Sequence, residues 1–559
     1  MPKKIAPYGT WESPIKPSTF AAGSVALDQI QVNEQNGKIY LLEIRPHEEG
    51  RGAIVEYTNG HPRDVLPAKY SALSQVHEYG GASFLVRFDG RIIFTDFDTK
   101  GVFILDPETQ EVNLIGSSDP KVYFADFAVN GKTIVSIRED HHPAKIEDIK
   151  NTLVTISSQG VKTIVEGSDF YAFPRFSPDG KKICWVSWNH PAMPWTSTEL
   201  WVASFEDGKV ADAKCIAGKH TQSAVTQPVW GNDGSLFFAD DQTGHWQLYR
   251  WHGSDITHVH LNGLEEADFA CPEWWLGCQW YTPLGDADTL LAFCNKDGAQ
   301  TALVINAKDQ TYKSAGFPVN QVYFNSVKRV NATQVAVIGA TATAPASFML
   351  LDLEKPDIPE ILKSSIDVTN VSGEYFSKAR TIKFQRTHGP GGGDAYGVFL
   401  APTNPDYLAP EGTLPPLIVA IHGGPTWQEG LGVYMRDQFW TTRGYAVVQV
   451  NYIGSSGFGR DYIKLLNGQW GVGDIADAAS CVEHLVKERL VDGKRVGITG
   501  HSAGGYATMH AMCMYPDIYS CGVAESGISD IQVMAEETHK FEVHPSLFIG
   551  VLSYVNHLE

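Results

Sequence analysis

Gly500-His501-Ser502-Ala503-Gly504 places one serine between two glycines in a G-x-S-x-G spacing. A serine hydroxyl is a weak nucleophile that needs a base, and an attacked carbonyl needs donors for the charge that develops on its oxygen. The spacing suits a turn too tight for side chains at its flanks, with the serine heading a helix whose amides and dipole favour negative charge. Val496-Gly497-Ile498-Thr499 has the pattern of a strand and Tyr506–Met514 that of a helix. That strand–turn–helix order is what a nucleophile elbow requires, so Ser502 is the candidate nucleophile. A second Gly-rich run, His422-Gly423-Gly424-Pro425, follows the apolar run Leu417–Ile421. A backbone N–H from that loop, with the N–H of Ala503, would make an oxyanion hole.

Two kinds of pattern position these residues. From about residue 25 to 365 the chain is a succession of short strands punctuated by Asn36-Gly37, Asp89-Gly90, Asn130-Gly131, Asp179-Gly180 and Asp233-Gly234. Each is a hairpin signal, and their spacings of 53, 41, 49 and 54 residues predict a β-propeller of about seven blades. After about residue 365 continuous apolar runs such as Tyr445–Val450 alternate with helical spacing, as at Ile475, Ala478, Val482, Leu485 and Val486 behind a capping Asp474. This predicts an α/β sheet buried on both faces. The expected domains are 1–365, an N-terminal segment and the propeller, and 366–559, the α/β unit. His422 precedes the elbow, the wrong order for a base in such a sheet, and is expected to support rather than to catalyse.

Composition narrows the function. A formal net charge of −20 disfavours nucleic acid. No apolar run approaches the roughly 18 residues of a membrane span, and the N-terminus lacks an apolar signal segment, so a cytoplasmic protein is expected. The eight cysteines show no CxxC pairing and are expected to be buried reduced thiols. No His/Cys/Asp spacing suits a metal, and His388–Gly393 lacks the Lys-Ser/Thr of a phosphate loop, so no cofactor is expected. Glu139 and Asp140, in Arg138-Glu139-Asp140-His141-His142, are candidates for holding a substrate amine, although a solvated turn is the commoner role of such a run.

The chain resembles the prolyl oligopeptidase family of serine peptidases, on its acylaminoacyl-peptidase and dipeptidyl-peptidase V side. The resemblance rests on Val76–Gly81, Pro174–Gly180, His190–Trp195, His422–Pro425, Asn451–Gly459, Asn467–Gly471, Gly500–Tyr506 and Glu537–Glu542. It implies a propeller capping an α/β-hydrolase domain, with short peptides as substrates. It also implies Ser502 as nucleophile, Gly424 and Ala503 as oxyanion donors, and a substrate contact at Tyr452, where Ile453 replaces the family's frequent arginine.

An α/β-hydrolase supplies its triad in the order Ser, Asp or Glu, His. The resemblance places the acid and the histidine on later strands, so the chain is expected to be truncated in this domain and poorly active. Residues 543–559 do not resemble the family. Asp530 with His539, His544 or His557 would be a substitute pair, disfavoured because it needs a histidine loop normally held by later strands. The alternatives to a peptidase are a carboxylic-ester hydrolase and a non-catalytic propeller scaffold. The oligomeric state is left open.

Overall fold

The computed structural model describes residues 2–542 except 22, 59, 60 and 117, so His544 and His557 lie outside the described residues. Residues 26–364 form seven antiparallel four-strand meanders, 26–64, 84–114, 122–165, 170–217, 225–258, 281–314 and 319–364. The Asn-Gly and Asp-Gly turns fall between adjacent strands of one meander, as the sequence predicts. At Asp179-Gly180 the glycine has φ 69°, and its carbonyl accepts a hydrogen bond from Asn130 Nδ2 at 2.7 Å in the preceding meander.

The innermost strands of the meanders share a device. Several carry a bulge, and a buried polar side chain at or near it bonds a neighbouring meander. Gln29 Nε2 donates to Phe84 O at 2.8 Å, and Asn325 Nδ2 to Leu276 O at 3.0 Å. Asp126 Oδ2 accepts from Phe173 N–H at 2.7 Å, and Gln227 Oε1 from Trp280 N–H at 2.8 Å. Asp126 and Gln227 sit at φ 53° and 54°, the left-handed region that the bulge imposes. The first and last meanders are each complete and meet through one parallel pair, Gln29 with Asn325. The shaft of the ring is crossed where Gly81 pairs with Leu276 and Leu276 N–H donates to Gly80 O at 2.8 Å, linking the start of the second meander to the approach of the sixth.

The second unit is a six-stranded sheet. Its strands are β1 (Arg380–Gln385), β2 (Asp394–Leu400), β3 (Leu417–Ile421), β4 (Ala446–Asn451), β5 (Val496–His501) and β6 (Cys521–Glu525). Their order is β1-β2-β4-β3-β5-β6, antiparallel at the first two joins and parallel at the rest. Every residue of β4 is buried, whereas every residue of β6 is exposed. Among the described residues β6 has β5 as its sole neighbour. Helix α1 (Gly473–Lys487) buries Ile475, Ala478, Val482 and Leu485 as the spacing predicts. Val486 is 37% exposed, and Asp474 lies within the first turn rather than at the cap, which is Val472.

The N-terminal residues pack on this second unit, not on the ring. Lys4 and Ile5 pair in parallel with Tyr407 and Leu408. Ser13 Oγ meets Thr442 Oγ1 at 2.8 Å, and Arg443 Nη2 donates to Ile15 O at 2.8 Å. The chain enters and leaves the ring at one place, where Val25 N–H donates to Ser365 O at 2.9 Å.

Five of the eight cysteines are buried as expected, Cys215 is half-buried, and Cys513 and Cys521 are exposed, Cys521 on strand β6. Among the described residues no helix is long and apolar enough to cross a membrane, and no cluster of three or more His, Cys, Asp or Glu side chains is placed to hold a metal ion.

Candidate active site

Ser502 stands between β5 and helix α2 (Ala503–Met514) with φ 55° and ψ −121°. An L-residue adopts this conformation only under constraint, and the constraint is visible. Ser502 N–H donates to Glu525 O at 3.0 Å on β6. A Cβ on Gly500 would lie 2.3 Å from Gly504 O, and one on Gly504 would lie 2.1 Å from Ile421 O. Backbone blocks both positions, which is why G-x-S-x-G needs its glycines. Ala503 opens α2, where the first amides have no intrahelical partner.

The loop after β3 packs against the elbow. A Cβ on Gly423 would lie 3.5 Å from Ser502 Cβ and 3.1 Å from His501 O, so Gly424 is one residue from contact with the nucleophile. His422 lies beneath this loop. Its Nδ1 is 2.8 Å from Gly423 O, a pure acceptor, and its Nε2 is 2.8 Å from Ser455 Oγ. The ring therefore donates through Nδ1–H and accepts from the Ser455 hydroxyl. Burial pushes its pKa down to about 4, so it is neutral near pH 7 and both nitrogens are committed. It supports the loop, as its chain order predicted.

Tyr452 is on the same hidden side. It is 1% exposed, stacks on the His422 ring at 4.3 Å, and directs its hydroxyl to His422 O at 3.0 Å and Pro425 O at 3.2 Å. The expected substrate contact at Tyr452 is thus replaced by a structural one, because the hydroxyl faces loop carbonyls. Ser455, the partner of His422, was missed. Its signal was the run Gly454-Ser455-Ser456-Gly457, whose residues 455 and 456 are buried.

The two propeller carboxylates are also engaged. Glu139 is 3% exposed and accepts from His77 N–H at 3.2 Å while meeting His141 Nε2 at 2.8 Å. Burial raises its pKa, but His141 and His77 outweigh burial and hold it below the ordinary range. It pins a turn in which His77 and Glu78 both have positive φ, 58° and 66°. Asp140 pairs with Arg138 at 2.5 Å and with His142 Nδ1 at 2.7 Å. Neither is an open carboxylate aimed at a ligand. The sequence kept Glu139 apart from the Val76–Gly81 motif, and the structure joins them.

Residues 539–542 fasten the sheet unit to the propeller. Phe541, 2% exposed, lies against the rings of His77 at 5.6 Å, Phe170 at 5.7 Å and Tyr79 at 5.8 Å. Lys540 Nζ donates to Ile149 O at 2.7 Å, and Tyr79 OH to Glu542 Oε1 at 2.5 Å. His539 stacks edge-on to Tyr79 and pairs with Glu542 at 3.6 Å, so it faces the propeller and does not form a substitute triad with exposed Asp530. Among the described residues no histidine or carboxylate side chain hydrogen-bonds the Ser502 hydroxyl. A cavity of about 600 Å³ opens between the two units beside Pro425 and Thr426, walled by Met193, Trp195, Arg460 and Trp470.

Comparison with known proteins agrees with this geometry. The sequence profile of the prolyl oligopeptidase family matches residues 432–548. The structure of a Mycobacterium tuberculosis puromycin-hydrolyzing peptidase superposes with a TM-score of 0.88 at 30% identity, covering 98% of this chain and 84% of that one. A puromycin hydrolase crystal structure gives 0.86 at 27% over 98% of this chain and 84% of that one. Dipeptidyl aminopeptidase BIII of Pseudoxanthomonas mexicana is 37% identical over 119 residues, 21% of this chain, and the acylamino-acid-releasing enzyme of Rattus norvegicus is 34% identical over 145 residues, 26% of this chain. Those stretches amount to 17% and 19% of the two curated relatives. The fold is a propeller joined to an α/β-hydrolase sheet, and the chain belongs to the prolyl oligopeptidase family.

Proposed function

We propose that this protein is by build a serine peptidase that releases short N-terminal pieces from small peptides through an acyl-enzyme on Ser502, a step that needs a histidine base which no described residue brings to the hydroxyl. The observation that carries the reading is the elbow itself. Ser502 is held at φ 55° at the head of α2, with the Gly423–Gly424 loop packed on it. Gly424 and Ala503 are the proposed oxyanion donors, each offering a backbone N–H beside the nucleophile. The similarity to puromycin-hydrolyzing peptidases and to dipeptidyl and acylaminoacyl peptidases supports peptides over simple esters as substrates.

The seven meanders are read as seven blades, dividing the chain near residue 365, with the N-terminal segment wrapped onto the hydrolase unit. A crossed shaft and an interdomain cavity beside Pro425 favour substrate entry from the side. A cytoplasmic setting is consistent with eight unpaired cysteines.

A fluorophosphonate probe and a dipeptidyl or acyl-aminoacyl amide test the reading together. Probe labelling and amide turnover that both vanish in Ser502→Ala would establish it. Turnover of an aryl ester with no cleavage of either amide would point to an esterase. Folded protein that takes up no probe would make the chain a non-catalytic scaffold.

A further inference from the structure

A second cavity, of about 480 Å³, lies on the opposite side of the propeller. The innermost strands begin beside Phe541, as Phe170 shows, and run away from the hydrolase unit. Their far ends, at Val129, Phe176, Trp230 and Arg329, line this funnel, and the Gly81–Leu276 crossing lies between it and the hydrolase face.

The charge of the funnel is unusual for a chain of net −20. Four cationic side chains, Arg87, Arg175, Lys328 and Arg329, line it. Three have acidic partners: Arg87 with Asp89 at 3.1 Å, Arg175 with Asp126 at 2.6 Å and Arg329 with Glu34 at 2.8 Å. Lys328 does not. Its ammonium donates to the Gln279 amide oxygen and makes no ion pair among the described residues. Lys328 is half-buried, and a cation drawn out of water without an ion pair is destabilising unless something else supplies the charge. Phe127, Phe176 and Trp230 also line the funnel.

We propose that this funnel binds a small organic phosphate, with Lys328, Arg175 and Arg329 receiving the phosphoryl oxygens and the aromatic wall receiving the organic group. Guanidinium forks match phosphate geometry, and an ammonium acts as a point charge beside them. A phosphate dianion supplies the counter-charge that the fold withholds from Lys328. Burial first, and the nearby Arg175 cation second, depress Lys328 to about 8, with Asp126 opposing them. Affinity should therefore fall as pH rises above about 8 and Lys328 loses its proton.

Phenyl phosphate titrated calorimetrically into the full protein at pH 7 and low salt tests this. The expected result is saturable one-site binding, weaker with inorganic phosphate, absent with phenol, and reduced at least tenfold in Lys328→Met. Lys328→Met should itself melt no lower than the parent, since it removes a half-buried charge that has no ion pair among the described residues. As a measurement independent of any variant, phenyl phosphate should protect Lys328 of the parent protein from amine acylation, read by peptide mass. No saturable heat, equal binding by Lys328→Met, or unprotected acylation of Lys328 would each overturn the proposal.

Discussion

Ser502 carries a conformational load that a substitution can release. At φ 55° a residue with a Cβ costs roughly 1–2 kcal/mol, and glycine costs almost nothing. Ser502→Gly should therefore be more stable than Ser502→Ala by about 1 kcal/mol in urea unfolding, although both lack the nucleophile. Equal stabilities would mean that the elbow is not strained. His77 and His422 make a second residue-scale prediction. Burial lowers each from the ordinary 6.5 to about 4. Between those values the unfolded chain binds a proton that the folded chain refuses, so stability is full above about 6.5 and falls as pH drops towards 4. At 1.36 kcal/mol per pKa unit, each histidine accounts for up to about 3 kcal/mol of that loss. Melting temperature measured from pH 7 to pH 4 should decline, and His422→Asn, which keeps a donor for Gly423 O, should flatten the slope. Ser502 and its glycines were legible in the sequence because the elbow is local, five residues whose constraint is written in their own types. Glu139 was not, because its partner His77 is 62 residues away, and Tyr452 was not, because spacing does not say which side of a loop a ring lies on.

At the scale of elements, the clearest control point is the first residue of the short helix Arg460–Lys464. Arg460 reaches from the hydrolase unit to the propeller, pairing with buried Asp241 at 2.8 Å and donating to Gln222 O at 2.5 Å. Its backbone N–H also bonds Gly244 O at 2.7 Å. Burial pushes Asp241 up to about 7, and Arg460 pulls against that rise. Arg460→Ala should thus cost about 3 kcal/mol at pH 8, where Asp241 would be a buried unpaired charge, and less at pH 6, where it takes up a proton. Adding Asp241→Asn should recover part of the loss at pH 8. Guanidinium unfolding of the two variants and the parent at both pH values measures this, and a pH-independent loss would sink it. The elements themselves were legible. The Asn-Gly and Asp-Gly turns marked the meanders, and the apolar period of α1 marked its buried face. Its cap was misjudged because helix entry is set by tertiary packing, with Gly473 pressed against Ile453.

The whole molecule is held together through a small number of sockets, and that of Phe541 is aromatic. Phe541→Ala removes a 2%-exposed ring from an aromatic box shared by both units. It should destabilise the docking of the two units by about 3–5 kcal/mol. Small-angle scattering should then show a larger radius of gyration, with faster proteolysis at residues 365–380, and an unchanged radius would show that the remaining contacts suffice. The union of residues 539–542 with the propeller was present in the sequence as a shared family segment, but its physical meaning, a plug, depends on contacts spanning more than 350 residues.

The meeting of Val25 with Ser365 has a topological consequence. Residues 4–15 lie on the hydrolase unit, so the larger unit is an excursion made by the smaller one, leaving and returning through a doorway one hydrogen bond wide. The ring also closes on itself through a single strand pair rather than by lending a strand to its neighbour. It is a detachable cassette in the covalent sense, a parcel of some 340 residues whose removal would ask the host chain to bridge a gap of 2.9 Å. A gene that gained or lost such a parcel would leave the elbow and its glycine loop in unbroken register.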